Sequence, residues 1–95
     1  MEDLCLLTRE IFPMVREENK RQITKQGIQN HEPLEWLGFA TKELEKLAEA
    51  IGEWQFRKGT IKNVVKEAIQ ASLLCLKIAE MFNELSKMNY KKEVK

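Results

Sequence analysis

Two glutamates have a position in this sequence that could support chemistry. At about 100° per residue, Glu43 falls among the apolar residues of the segment 32–56, and Glu67 falls among those of the segment 62–82. An ionised acid is costly to bury unless it is paired, hydrogen-bonded or bound to a metal. Two interpretations follow. Either the acids reach Lys, Arg or solvent at the rim of the core, or they face each other across two helices as a chemical site.

Three helical segments must position these acids. The first covers residues 2–26, and Pro13 either kinks it or separates a short helix from a second one that begins near Pro13. Gly27 ends it. The segment 16–26 is almost entirely polar, so it forms either a solvated face or a basic, amide-rich wall beside a ligand.

The second helix is predicted over residues 33–51, with Pro33 at its start and either Asn30 or His31 as its cap. Gly52 weakens its end, so residues 52–60 are expected to form a connector in which Trp54 and Phe56 act as apolar plugs.

The third helix is predicted over residues 61–88, with Thr60 as its N-cap. It is apolar over most of its girth, which is typical of a helix that is buried on several sides. In so small a chain, we expect a second subunit to cover part of it.

Composition limits the function classes. The 95 residues suit one helical domain, with residues 1–14 as a helical extension and 89–95 as a frayed tail. A net charge of +1 argues against DNA binding, and no apolar run is long enough for a membrane span. The start of the chain does not resemble a signal peptide, so we expect a cytoplasmic location.

Three further features have a plain interpretation beside a functional one. Cys5 and Cys75 are expected to be buried reduced thiols, although the sequence leaves a disulfide between them open. His31, the single histidine, is either a cap or loop hydrogen-bonding residue or a catalytic base. Arg57 and Lys58 beside a glycine belong to a plain turn or a phosphate site, and the turn is favoured because no P-loop pattern is present.

Four stretches follow one another along the chain: E-N-K-R-Q at 18–22, K-Q-G-I-Q-N-H at 25–31, P-L-E-W-L at 33–37 and V-K-E-A-I-Q-A-S at 65–72. In this order they resemble the small MazG-like nucleotide pyrophosphohydrolases. The similarity runs from about Val15 to Phe82. It implies an all-α antiparallel helical bundle that assembles as a homodimer or homotetramer and cleaves nucleoside triphosphates to a monophosphate and pyrophosphate with magnesium.

The resemblance also implies roles for individual residues. Glu43 and Glu67 would be catalytic and, with Gln70, would bind magnesium, which carboxylates favour as hard oxygen ligands. Arg21, Lys25, Asn30 and Lys46 would contact the phosphates or base of the nucleotide.

The chain departs from the family's pattern at Lys42, Lys46 and Gln26. The family has an E-E-x-x-E motif on the second helix, but here Lys42 and Lys46 replace its first and third acids. An ammonium cannot ligate magnesium and repels it. Gln26 replaces the family's usual tryptophan, which removes a stacking or packing group.

Three functions are compatible with this pattern. The favoured hypothesis is a MazG-like protein that binds a nucleotide but has weak or lost hydrolysis. The alternatives are an active, divergent pyrophosphohydrolase and an oligomeric interaction module without a nucleotide. A helical bundle unrelated to nucleotides is the plainest remaining hypothesis.

Overall fold

The computed structural model describes residues 10–88, which form three α-helices and no strand. They are α1 (Ile11–Gln26), α2 (Pro33–Phe56) and α3 (Ile61–Lys87). This confirms the all-helical class for that part of the chain. The expected tail at 89–95 and residues 1–9 of the expected extension lie outside the described residues. No helix within 10–88 has the length and apolarity to cross a membrane.

The helix α1 begins close to Pro13, as one of the two sequence alternatives expected. Pro13 occupies the first turn, where a missing backbone N–H costs little because that group has no partner within the helix. Gly27 follows the last turn with φ of 81°, a backbone conformation that glycine adopts readily, and its N–H donates to the Ile23 carbonyl at 2.7 Å. The predicted stop at Gly27 is therefore confirmed.

The start of α2 at Pro33 is confirmed, but the predicted cap is wrong. Glu32 holds the N-cap position, and its backbone N–H donates to Glu35 Oε1 at 2.9 Å. Asn30 and His31 lie too early in the loop for this role. A carboxylate in the first helical turn also interacts favourably with the helix dipole, which explains why acids flank Pro33.

The predicted end of α2 at Ile51 is also wrong, because the helix continues through Gly52 to Phe56. A glycine inside a helix costs only about 1 kcal/mol, and contact with α3 outweighs that cost. Trp54 and Phe56 are therefore helical and exposed rather than plugs in a connector. Arg57 lies in the turn and pairs with Glu53 at 3.5 Å, as a plain turn residue does.

The helices α2 and α3 form an antiparallel hairpin joined by residues 57–60. The carbonyl of Glu53 accepts from both the Arg57 and the Gly59 N–H groups at 2.9 Å, which turns the chain. Thr60 Oγ1 then accepts from the Asn63 N–H at 3.0 Å, which confirms the predicted cap of α3. Small buried residues between the two helices (Ala40, Ala50 and Ala71) let their backbones approach closely.

The helix α1 packs on α3 rather than on α2. Val15 joins Ile69 and Leu73 in a small buried cluster, with Val65 at its edge. Cys75 lies on α3 outside this cluster and is an exposed free thiol, so the expectation that it is buried is wrong. The helical periodicity placed it on a broad apolar arc but did not show which part of that arc is covered.

Two glycines provide a matched test of the hairpin. A Cβ at Gly52 meets nothing within 4 Å, so Gly52→Ala should raise the free energy of unfolding by about 0.5–1 kcal/mol through helix propensity. A Cβ at Gly59 would lie 2.7 Å from Glu53 Cβ, so Gly59→Ala should lower it by about 1 kcal/mol or more. Urea unfolding at a fixed protein concentration measures both changes. A stabilising Gly59→Ala would contradict this account of the turn.

Candidate functional site

The two glutamates singled out by their spacing lie on the inner sides of α2 and α3. The Glu43 side chain is 20% exposed, and Glu67 is half-buried. The Oε1 atoms of both are buried and have no hydrogen-bond partner within the described residues. Lys46 Nζ donates a hydrogen bond to the second oxygen of Glu43, Oε2, at 3.3 Å. One of the two acids is therefore paired at the rim, and each keeps one buried oxygen without a partner.

The third expected metal ligand, Gln70, contacts α1 through its amide nitrogen, whereas a glutamine binds a metal ion through its amide oxygen. Its Nε2 donates to Glu18 Oε2 on α1 at 3.4 Å. Among residues 10–88, no three Asp, Glu, His or Cys side chains are grouped so that they could hold a metal ion. Magnesium has near-octahedral oxygen coordination in which waters supply several ligands, so one or two carboxylates can be its protein ligands. The carboxylates of Glu43 and Glu67 are of this type, but the Lys46 ammonium beside Glu43 repels a cation.

A polar cluster between α1 and α3 centres on Glu18, which the sequence did not single out as a site residue. Arg21 donates to both of its oxygens, at 2.7 and 3.1 Å, and Gln22 Nε2 donates at 2.8 Å. The hydrogen bonds from Arg21, helped by Gln22, lower the pKa of the Glu18 carboxyl from its usual 4.5 against the opposing effect of burial. The spacing of three and four residues along α1 was the available signal.

An open cleft of about 850 Å³ lies between α1 and the hairpin. Its walls include cationic, amide and aromatic side chains together with several carboxylates. The cations are Arg16, Lys42 and Lys77, and the carboxylates are Glu43, Glu80 and Glu84. The amides are Asn19, Gln22, Gln26, Gln29, Asn30 and Gln70, and the rings are His31, Trp36 and Phe39. Charges of both signs therefore surround a site with abundant hydrogen-bonding groups.

The cleft brings together only some of the expected site residues. Asn30, Glu43 and Gln70 line it, together with Lys42. The other four do not: Arg21 pairs with Glu18, Lys46 pairs with Glu43, Lys25 is exposed, and Glu67 lies outside the lining. One side of α1 lines the cleft within the segment 16–26, and the other side faces solvent, so the expectation of a wall beside a ligand stays a prediction.

His31 connects the loop before α2 to an aromatic cluster. Its ring meets those of Trp36 and Phe39 edge-on, at centroid distances of 4.8 and 5.0 Å. Its Nε2 lies 3.0 Å from Gln29 Oε1, and its Nδ1 lies 3.5 Å from Glu35 Oε1. His31 is thus a loop hydrogen-bonding residue that positions one wall of the cleft.

Lys77 extends this wall from α3, with its Nζ 5.2 Å from the centre of the Trp36 ring. Neither Lys77 nor Phe39 was expected as a site residue. Local spacing cannot show that a lysine of α3 lies over an aromatic ring of α2.

The chain was compared with protein-family models, with curated proteins and with solved structures, and none of them matches.

The Glu18 cluster predicts a pH-dependent stability. Because the folded-state pKa is below the unfolded value of about 4.5, Glu18 contributes stability above that pH, and the contribution is lost as the pH falls through the folded-state pKa. Glu18→Gln should therefore lower the free energy of unfolding at pH 7, and its difference from the wild type should shrink below pH 4.5. Glu17→Gln, an exposed neighbour, is the control. A difference that is constant from pH 7 to pH 3 would contradict this role.

Proposed function

We propose that this protein binds a nucleotide in the cleft between α1 and the hairpin, as a MazG-like protein whose magnesium-dependent hydrolysis is weak or lost. One observation carries the proposal. Three separate stretches that carry the resemblance, 18–22, 25–31 and 65–72, each contribute side chains to the same cleft. The stretch 33–37 contributes Trp36 to the same cleft.

The lining chemistry supports a ligand with a base and phosphates. Ligand sites combine apolar and aromatic walls with a few polar groups that set orientation. Phe39 is 41% exposed and presents a ring on which a base can stack. Asn30 and its neighbouring amides provide donors and acceptors for base edges, and Lys42 provides an ammonium for a phosphate oxygen.

The replacement of two family acids by lysines favours nucleotide binding without hydrolysis. Where the family has carboxylates, this chain has Lys42 and Lys46, and Lys46 neutralises Glu43 at 3.3 Å. A phosphate near Lys42 therefore meets a positive charge without a bound cation. Binding should in consequence persist when magnesium is removed. By the same resemblance, the chain would assemble as a homodimer or homotetramer.

A thermal-shift titration with nucleoside di- and triphosphates tests the binding. A ligand of the folded state raises the melting temperature by mass action. We expect a nucleotide-dependent rise that survives a chelator and is several-fold weaker in Lys42→Ala and Asn30→Ala. Lys62→Ala, which removes an exposed lysine of α3 outside the cleft, is the matched control. No shift with any nucleotide would contradict the proposal.

An active, divergent pyrophosphohydrolase is the second candidate. The buried Oε1 atoms of Glu43 and Glu67, which have no partner in the part of the chain that the structure describes, favour it. Such atoms carry a desolvation penalty that a cation would relieve. This function predicts pyrophosphate release from a nucleoside triphosphate with magnesium, at a rate above that of Glu67→Ala. It also predicts a magnesium-dependent rise in melting temperature that Glu43→Gln removes. If the variants and the wild type give the same rate and the same shift, this candidate is excluded.

A further inference from the structure

The hairpin ends in a convex tip that lies outside the cleft. We define the tip as residues 54–66, which comprise the end of α2, the connection and the first turns of α3. None of these residues lines the cleft. Because the chain reverses direction here, side chains on both sides of the connection project from one end of the hairpin. The helical rise places all of them within about 9 Å of the connection along the helix axes.

Three large apolar side chains of the tip are exposed to solvent. Trp54 is 48%, Phe56 is 78% and Ile61 is 65% exposed. Single exposed apolar residues are common on protein surfaces, but three within eight residues of the chain, two of them aromatic, form a group. They come from both helices, so the group belongs to the end of the hairpin rather than to one face of a helix.

The tip also concentrates positive charge. Its charged residues are Arg57, Lys58, Lys62 and Lys66, with no acid among them. The tip therefore has a charge of +4, whereas the other 12 basic and 15 acidic residues of the chain give −3. An almost neutral chain thus has one strongly cationic end, and such an asymmetry favours an anionic partner at that end.

The cations of the tip are available to a partner. All four are exposed. Among residues 10–88, Arg57 is the one that pairs with an acid, since it lies 3.5 Å from Glu53, just outside the tip. The two side chains of that pair are 73% and 50% exposed, and an exposed pair of this kind adds little stability. Arg57 can therefore exchange Glu53 for another anion.

We propose that the tip binds the surface of a lipid bilayer that contains anionic phospholipids. Trp54, Phe56 and Ile61 insert into the boundary between headgroups and acyl chains, and the surrounding cations contact lipid phosphates. Binding of this kind scales with the buried apolar area and with the attraction to anionic lipids. Tryptophan favours this boundary because its ring has an apolar body and a polar N–H.

The surface beside the tip does not suit a nucleic acid. A single-stranded nucleic acid requires a positively charged groove that follows its backbone, with aromatic rings on which bases stack. The concave surface next to Phe56 is lined by Glu49 and Glu53, and these carboxylates repel phosphates. Ile61 has no ring for a base. A convex end with apolar and cationic side chains matches a bilayer instead.

This interaction is separate from nucleotide binding. Lys42 and Glu43 of the cleft precede Phe56 by 14 and 13 residues, which corresponds to about 20 Å along α2. The cleft therefore stays open to solvent when the tip touches a bilayer. The contact is with the bilayer surface, because no helix within residues 10–88 can cross a membrane.

Sedimentation of the full chain with lipid vesicles tests the charge requirement. With about one-third phosphatidylserine in phosphatidylcholine, we expect affinity at least ten-fold above that for pure phosphatidylcholine, and a decrease as salt rises. Lys58→Glu with Lys62→Glu should lower this affinity at least ten-fold. Lys20→Glu with Lys87→Glu, which changes the net charge equally at exposed lysines outside the tip, should bind as the wild type does. Absent binding, equal binding to both vesicles, or an equal loss in both double variants would overturn the proposal.

The apolar requirement has a matched pair on α2. Phe56→Ser should weaken vesicle binding at least three-fold, whereas Leu34→Ser, at a 79% exposed residue of the opposite end of α2, should leave it unchanged. Quenching of tryptophan fluorescence by brominated lipid needs only Trp54→Phe as a control. Trp54 should be quenched, and the quenching should be lost in Trp54→Phe, because Trp36 is 7% exposed and lies about 27 Å along α2 from Trp54. Bound protein without this quenching would overturn the proposal.

A parallel titration with single-stranded RNA separates the two anionic partners. We expect RNA affinity at least ten-fold below that for the phosphatidylserine vesicles, and no change in it on Phe56→Ser. RNA binding that Lys58→Glu with Lys62→Glu abolishes, in a protein that does not bind the vesicles, would identify a nucleic-acid surface and overturn the proposal.

Discussion

The close packing of α2 against α3 is the constraint on which the rest of the structure depends. Small residues along this contact bring two long helices together but leave little room for large buried side chains. The hairpin is therefore thin, and most large apolar residues lie on its two faces rather than inside it. One face receives α1 and forms the cleft, and Leu44 and Phe82 are among the exposed large apolar residues outside it.

Two acidic side chains near the cleft are paired with cationic or amide side chains. Glu18 is held by Arg21 and two glutamines, and Glu43 is held by Lys46. These contacts neutralise two carboxylates that would otherwise attract cations. The Oε1 atoms of Glu43 and Glu67, which are buried and have no hydrogen-bond partner among residues 10–88, are the exception to this compensation. Paired carboxylates suit a site that binds an anion directly, whereas buried carboxylate oxygens without partners suit a site that requires a metal ion.

Local sequence signals determined much of the secondary structure. Thr60 as a cap, Gly27 as a stop and Pro33 as a start each act through the backbone within one turn, so they could be predicted from neighbouring residues. The end of α2 could not, because the cost of Gly52 was offset by contacts with a helix that follows in the chain. The inner positions of Glu43 and Glu67 followed from periodicity, since a helix fixes the angle between residues.

By itself, the sequence determined that this chain forms helices and which side of each helix is apolar, because propensity, caps and periodicity are local properties. Only the tertiary structure decided which part of each apolar side is covered. It brought Gln70 to Glu18 and Lys77 over Trp36, and it left Cys75 and Leu44 exposed. These outcomes depend on how α1 and the hairpin pack. Contacts between residues far apart in the chain cannot be predicted from the spacing of residues within any one helix.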